Sequence, residues 1–288
     1  MKTLQTAKEM ASFADAARKT GKKITFVPTM GALHKGHLAL MREARDHGDI
    51  VVVSIFVNPR QFNDPKDFQK YARDLPGDLK MCESEAVDVV FTPSNEDIYP
   101  PNESPSSIPL PAVAIPLEGI SRPGHFKGVV EVVSRLFRIV RPDAAVFGMK
   151  DYQQVRVIEE MVKEQGLNVA IIRHPTIREP KGLALSSRNA RLTQEGRRKA
   201  IFLSMSLDAA KYLFQKGGSD PAAIEKKIVE ALTREKLRID YVAVVDAVTL
   251  QKIPLLDRPA VLAIAAFVEE VRLIDNCLLG KAEALPLK

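Results

Sequence analysis

Apolar residues in the first 176 positions fall into short solid runs separated by helical stripes. Residues 3–19, "TLQTAKEMASFADAARK", place Leu4, Met10, Phe13 and Ala17 near helical spacing, and Gly21 supplies a stop, so a surface helix is predicted to open the chain. "ITFVPT" then predicts a short buried strand, "HLALMREARDHG" a helix starting at about Gly36 or His37 and closed by Gly48, and "IVVVSIFVN" a second buried strand. "PKDFQKYARDLPGDLKMCESEA" is predicted helical with a Pro-Gly interruption, and "VDVVFTP" a strand. Residues 100–116 carry six prolines, too many for a helix interior or a central strand, which predicts an irregular extension with an edge strand. A helix from about Gly128 to Val140, the strand "AAVFG", a helix from about Tyr152 to Gln165 and the strand "VAIIRH" complete the alternation.

Strands and helices alternating in this way predict an α/β fold: a doubly wound parallel sheet, Rossmann-like, with ligands at the carboxyl ends of the strands. After about Ile177 the texture changes. Two long helical stripes, "TQEGRRKAIFLSMSLDAAKYLFQKG" and "DPAAIEKKIVEALTREK", are followed by strand-like "IDYVAVVD" and "PAVLAIAAFV". The expected division is residues 1–176 as a Rossmann-like nucleotide-binding domain and 177–288 as a smaller α+β C-terminal domain. The last eight residues, "KAEALPLK", read as a frayed tail.

Composition narrows the function classes. Hydrophobic residues at 45% and charged residues at 27% are ordinary for a globular protein, so disorder is not the expectation. The formal charge of +6 suits an anionic ligand, whether small molecule or nucleic acid. No basic block with interleaved aromatics occurs, which argues against nucleic acid. The longest apolar runs fall short of the ~20 residues that span a bilayer, so no membrane association is expected. Cys82 and Cys277 lie far apart and no signal pattern opens the chain, so a reducing cytoplasm is expected.

Candidate chemistry begins at "PTMGALHKGH". Pro28 breaks the strand, Gly31 and Gly36 free the backbone, and His34 and His37 stand beside a predicted helix N-terminus, where N–H groups and the helix dipole favour anions. Phosphate is the natural ligand. A metal would need a third ligand, and His47, His125 and His174 each stand alone; a purely structural role for the pair also stays open. "FGMKDYQQ" repeats the strand-end logic: Gly148 permits close approach, Lys150 offers a point charge, and Asp151 could orient the lysine or a ribose. "LALSSRN", at the expected domain boundary, lines up two hydroxyls and a guanidinium, although it is also an ordinary helix entry.

"HKGH" resembles the HxGH signature of a nucleotidyltransferase superfamily that includes class I aminoacyl-tRNA synthetases. Together with "NPRQF", "RPGHFKGV", "FGMKDYQQ" and "GLALSSRN", in that order, it resembles the pantothenate synthetase (pantoate–β-alanine ligase) family along nearly the whole chain. The resemblance implies a two-step reaction: pantoate attacks the α-phosphorus of ATP to give pantoyl adenylate and pyrophosphate, and β-alanine then displaces AMP. It implies ATP contacts from Met30, Gly31, Ala32, Leu33, His34, Lys35, Gly36 and His37, from Gly148, Met149, Lys150 and Asp151, and from Ile177, Leu185, Ser186, Ser187 and Arg188. Catalytic roles fall to His34, His37, Lys150, Ser186, Ser187 and Arg188. Substrate contacts fall to Met30, Asn58, Gln61 and Gln154. The resemblance also implies Mg2+ with ATP, with Asp78 at an acidic position near the phosphates, a homodimer, and a C-terminal domain acting as a lid.

Four departures from the family pattern stand out. Ala72 replaces a proline in "YAR", Glu131 occupies an otherwise apolar helix, Met149 stands in "FGMKD", and Lys181 precedes "GLA". Two alternatives are another HxGH nucleotidyltransferase with a different acceptor, against which "NPRQF" and "FGMKDYQQ" argue, and a non-catalytic basic nucleotide- or RNA-binding module.

Overall fold

A computed structural model describes residues 1–101 and 108–280; the expected C-terminal tail and part of the proline-rich extension lie outside the described residues. The chain forms two compact units. The first comprises Met1–Ala114, Arg122–Met149 and Gln154–Pro175. It is built on six parallel strands, β1 (Lys2–Leu4), β2 (Ile24–Thr29), β3 (Ile50–Ile55), β4 (Val89–Phe91), β5 (Ala144–Gly148) and β6 (Ala170–His174), in the order β1-β4-β3-β2-β5-β6. β2 and β3 are buried and mainly apolar because helices cover both faces of the sheet. On one face Val27, Val53 and Val146 pack with Met41 and Ala44 of the helix Lys35–His47. On the other, Phe26 and Phe147 meet Phe137 of the helix His125–Val140 edge-on.

The first unit differs from expectation in three places. The chain opens with β1, and the helix starts only at Ala7. Thr6 and Glu9 form a capping box that fixes this start, so Lys2–Leu4 stays extended and pairs with β4 at the sheet edge. The helical stretch is interrupted, into Pro65–Gln69 and Leu75–Ser84, but just ahead of Pro76 and Gly77, which lie in the first turn of the second helix, where Asp74 caps the Gly77 N–H. The described part of the proline-rich stretch holds a 3-10 turn, Ala112–Ala114, and no strand.

The second unit comprises Ile115–Ser121, Lys150–Gln153 and the chain from Thr176 onward. Strands β7 (Arg238–Asp246), β8 (Ala260–Val268) and β9 (Val271–Leu279) form an antiparallel sheet in sequential order. Helices Gln194–Gln215 and Pro221–Arg234 share its core through Leu203, Leu207, Ile228 and Leu232, packed with Leu262 and Ile264. The early segment is tied in by buried Glu118, which accepts from the two terminal nitrogens of Arg272 (2.9 and 2.7 Å) and from the Tyr241 hydroxyl (2.8 Å). β9 is not among the strands that the sequence pattern predicts, and it supplies the hairpin partner that β8 needs.

Candidate active site

Within the first unit the strand order reverses at β2: β3 and β4 lie to one side, β5 and β6 to the other. In doubly wound sheets the crevice at this switch point, outside the carboxyl ends of the strands, receives ligands. The loops after β2, β3 and β5 carry "MGALHKGH", "NPRQF" and "FGM", so three of the motifs leave adjacent strands at one edge.

The loop after β2 is shaped by its backbone. Gly31 and Ala32 both take left-handed conformations (φ 75° and 50°), which turn the chain so that the Ala32 and Leu33 N–H groups donate to Asp78 at 3.0 and 2.7 Å. A side chain at Gly31 would come within 2.7 Å of the Asp78 carboxylate. Burial pushes the Asp78 carboxyl above its ordinary range, and these two N–H bonds offset that only in part. Asp78, the acidic residue expected near the phosphates, thus supports the histidine loop.

His34 is the N-cap of the helix Lys35–His47. Its Nδ1 accepts the Gly36 N–H (3.1 Å), while His37 Nδ1 accepts the His34 N–H (3.3 Å). The two rings stack with centroids 4.1 Å apart. With Nδ1 accepting, each neutral ring carries its proton on Nε2. The pair is thus built into the helix N-terminus, where the first-turn N–H groups favour an anion.

The loop after β3 is a buried polar network. Asn58 Nδ2 donates to Gln61 Oε1 (3.0 Å) and to the Gly128 carbonyl (3.1 Å), and the Tyr99 hydroxyl donates to Asn58 Oδ1 (2.8 Å). Gln61 Nε2 is thereby oriented as a donor and lies 3.1 Å from Met30 Sδ. "RPGHFKGV" seats this turn: His125 Nδ1 contacts the Gln61 carbonyl at 2.9 Å, and Gly128 lets Arg60 approach so closely that a Cβ would meet its carbonyl oxygen at 2.4 Å. Glu131 also finds its reason here. It is buried on the same helix and pairs with Arg60 and Arg135, whose guanidinium groups lie 3.8 and 5.1 Å from the Tyr99 ring centroid. Met30, Asn58 and Gln61 therefore stand together, as expected; Tyr99, which closes the network, carries no signal in the quoted motifs.

After β5, Gly148 sits over the histidine helix, its Cβ direction 3.9 Å from Leu40. Met149 ends the first unit's share of this motif; Gln154, half-buried on the helix Tyr152–Glu164, is the residue at which the first unit resumes. Lys150 and Asp151 belong to the second unit, with Lys150 Nζ 3.5 Å from the Asp151 carboxylate. Ile177, Leu185, Ser186, Ser187 and Arg188 belong there too. Leu185 N–H donates to the Ile177 carbonyl (2.9 Å), and Ser186 caps the 3-10 turn Ser187–Arg191 through the Arg188 N–H (3.2 Å). Ala72 and Lys181 are exposed, so those two departures fall on the surface. Among the described residues no group of three or more His, Cys, Asp or Glu side chains could hold a metal ion.

The family model described as pantoate-beta-alanine ligase matches residues 2–278. The chain belongs to the pantoate–β-alanine ligase family. A pantothenate synthetase from Thermotoga neapolitana is 47% identical over 281 residues, 97% of this chain and 100% of that protein. One from Geobacter sulfurreducens is 44% identical over 284 residues, 98% of this chain and 100% of the relative. Among solved structures, a pantothenate synthetase from Thermus thermophilus superposes with a TM-score of 0.90 at 40% identity, covering 96% of this chain and 99% of that one. The pantoate-beta-alanine ligase of Francisella tularensis, solved with beta-gamma ATP and beta-alanine, gives 0.81 at 38% identity over 98% and 99%. Family membership thus covers both units and every quoted motif. No helix among the described residues is long and apolar enough to cross a membrane.

Proposed function

We propose that the protein condenses pantoate with β-alanine at the expense of ATP, through a pantoyl-adenylate intermediate, releasing pyrophosphate and AMP. The observation that carries this reading is the stacked His34–His37 pair, its neutral rings protonated on Nε2, at a helix N-terminus on the switch-point edge of the sheet. In the first step a carboxylate oxygen of pantoate attacks the α-phosphorus and the bond to pyrophosphate breaks. A carboxylate is already ionised at neutral pH, so this step needs positioning and charge stabilisation rather than a base. His34 and His37 are assigned to the phosphates, where negative charge builds as pyrophosphate leaves. Lys150, Ser186, Ser187 and Arg188 are assigned the same kind of task from the second unit, with Arg188 offering a bidentate fork. Met30 to His37, Gly148 to Asp151, Ile177 and Leu185 are assigned to the nucleotide.

Gln61, Asn58 and Met30, with Gln154, are assigned to pantoate. The fixed Gln61 amide offers N–H donors to a hydroxy acid. In the second step the neutral amine of β-alanine attacks the acyl carbon, the bond from that carbon to the AMP phosphate oxygen breaks, AMP leaves, and the surplus amine proton passes to solvent. Magnesium would enter with ATP and would offset charge on the phosphates; Asp78 is the acidic residue assigned near them, and its carboxylate already accepts the Ala32 and Leu33 N–H groups. A homodimer, a cytoplasmic location and a lid role for the C-terminal unit belong to the same proposal. Sedimentation at micromolar concentration tests the first; a single-chain species would remove it.

Incubation with pantoate, β-alanine and Mg-ATP tests the reaction. Equal amounts of pantothenate and AMP, each dependent on all three substrates, are expected; ADP in place of AMP would exclude adenylation.

A further inference from the structure

Strand β9 points Val271, Leu273, Cys277 and Leu279 into the core of the second unit, and the same face carries Asp275 at 3% exposure. A carboxylate in that position is costly unless paired and hydrogen-bonded. Its partner is Arg178, which donates to both Asp275 oxygens at 2.6 and 2.8 Å and to the Gly182 carbonyl at 3.0 Å. Arg178 lies in a tight antiparallel turn. Glu179 N–H donates to the Leu183 carbonyl, Leu185 N–H donates to the Ile177 carbonyl, and Arg178 bridges to Ala184. Gly182 (φ 93°) allows the reversal. The turn ends directly before Ser186, so the Arg178–Asp275 pair fastens the root of the Ser186–Arg188 segment to the sheet.

The next residue faces the other way and holds a different segment. Asn276 Nδ2 donates to the Lys150 carbonyl at 2.8 Å, and the Asn276 N–H donates to Asp275 Oδ1 at 2.9 Å. One dipeptide on a regular strand therefore grips the backbone of Lys150 on one side and the base of the Ser-Ser-Arg turn on the other.

We propose that Asp275 and Asn276 are positioning residues for the nucleotide, setting the spacing between Lys150 and the Ser186–Arg188 turn without touching substrate. The inference rests on the assignment of those two segments to ATP. A purely architectural pair would affect stability alone, whereas a positioning pair affects ATP parameters and spares pantoate, whose assigned residues lie in the first unit.

The test measures pantoate-dependent exchange of pyrophosphate with ATP, melting temperature, and ATP affinity by titration calorimetry for the wild type, Asn276→Ala, Asn276→Asp and Asp275→Asn. Asn276→Ala is expected to weaken ATP binding and raise its KM roughly three- to tenfold, as loss of one hydrogen bond does, with the KM for pantoate unchanged. Asn276→Asp keeps the shape but lacks the donor, so it should give no rescue. Asp275→Asn loses the charge-assisted fork and should weaken ATP binding by about ten- to a hundredfold; if it fails to fold, the Asn276 variants decide. Wild-type ATP affinity and KM in both Asn276 variants would overturn the proposal, as would a parallel rise in the KM for pantoate. If the wild type itself shows no exchange, the functional reading fails separately, and the calorimetric comparison still decides the role of Asn276.

Discussion

Asp78→Ala removes the one side chain that accepts both the Ala32 and Leu33 N–H groups of the histidine loop. Each charge-assisted bond at 3.0 and 2.7 Å is worth about 1.5–3 kcal/mol, and a buried donor left without an acceptor costs about 1–3 kcal/mol. The cost of burying the carboxylate, visible in its raised pKa, offsets part of this, leaving a net loss of roughly 2–4 kcal/mol. For a unit of this size that lowers the melting temperature by about 5–15 °C. Pantoate-dependent exchange should fall by roughly 100-fold, because the histidines lose their fixed placement. The dependence of rate on magnesium should keep its midpoint, since both Asp78 oxygens are engaged by backbone N–H groups of the loop. The pH dependence has a definite sign. With its folded pKa raised, Asp78 binds more protons folded than unfolded, so its contribution to stability is full below the unfolded pKa and declines as pH rises through the folded one. The stability difference between wild type and Asp78→Asn should follow that decline. A folded Asp78→Ala protein with wild-type exchange, or one whose only defect is a weakened magnesium midpoint, would refute the reasoning.

His37→Ala should lower the exchange rate by about 100- to 1,000-fold, the usual cost of removing one donor from a developing negative charge; a few-fold change at saturating ATP would remove His37 from that role. Gly128→Ala should drive the Asn58–Gln61 turn away from its seat, because the new Cβ meets the Arg60 carbonyl oxygen at 2.4 Å. The expected result is a rise of about tenfold or more in the KM for pantoate with the KM for ATP unchanged, measured by steady-state kinetics. Both cysteines are buried and their thiols are pushed up to about 12, mainly by burial. Neither should react with a thiol reagent at pH 8 in the native protein, and both should react after denaturation.

Much of the first unit is legible because parallel strands buried on both faces write themselves as apolar runs, and the loops after them carry Gly, Pro and His in short strings. What stays hidden depends on contacts distant in sequence. β1 reads as helix because Leu4 fits a helical stripe, and only the Thr6–Glu9 capping box marks the true start. β9 escapes notice because Asp275 breaks its apolar alternation; the buried Asp is tolerated only because Arg178, 97 residues away, pairs with it. Glu131 looks misplaced on an apolar helix for a similar reason: Arg135 stands one helical turn on, but its other partner, Arg60, is invisible until the fold brings it in. In the candidate site the motifs identify Asn58, Gln61 and the histidine loop. Tyr99 and the supporting task of Asp78 emerge only from hydrogen bonds between separate elements.

The most direct test of the central claim is exchange of labelled pyrophosphate into ATP with pantoate present and β-alanine omitted. Formation of an acyl adenylate predicts label in ATP that requires pantoate and disappears when pantoate is left out. Folded protein that releases pantothenate when all substrates are present, yet shows no such exchange, would contradict the adenylate mechanism; folded protein that does neither would contradict the proposed function.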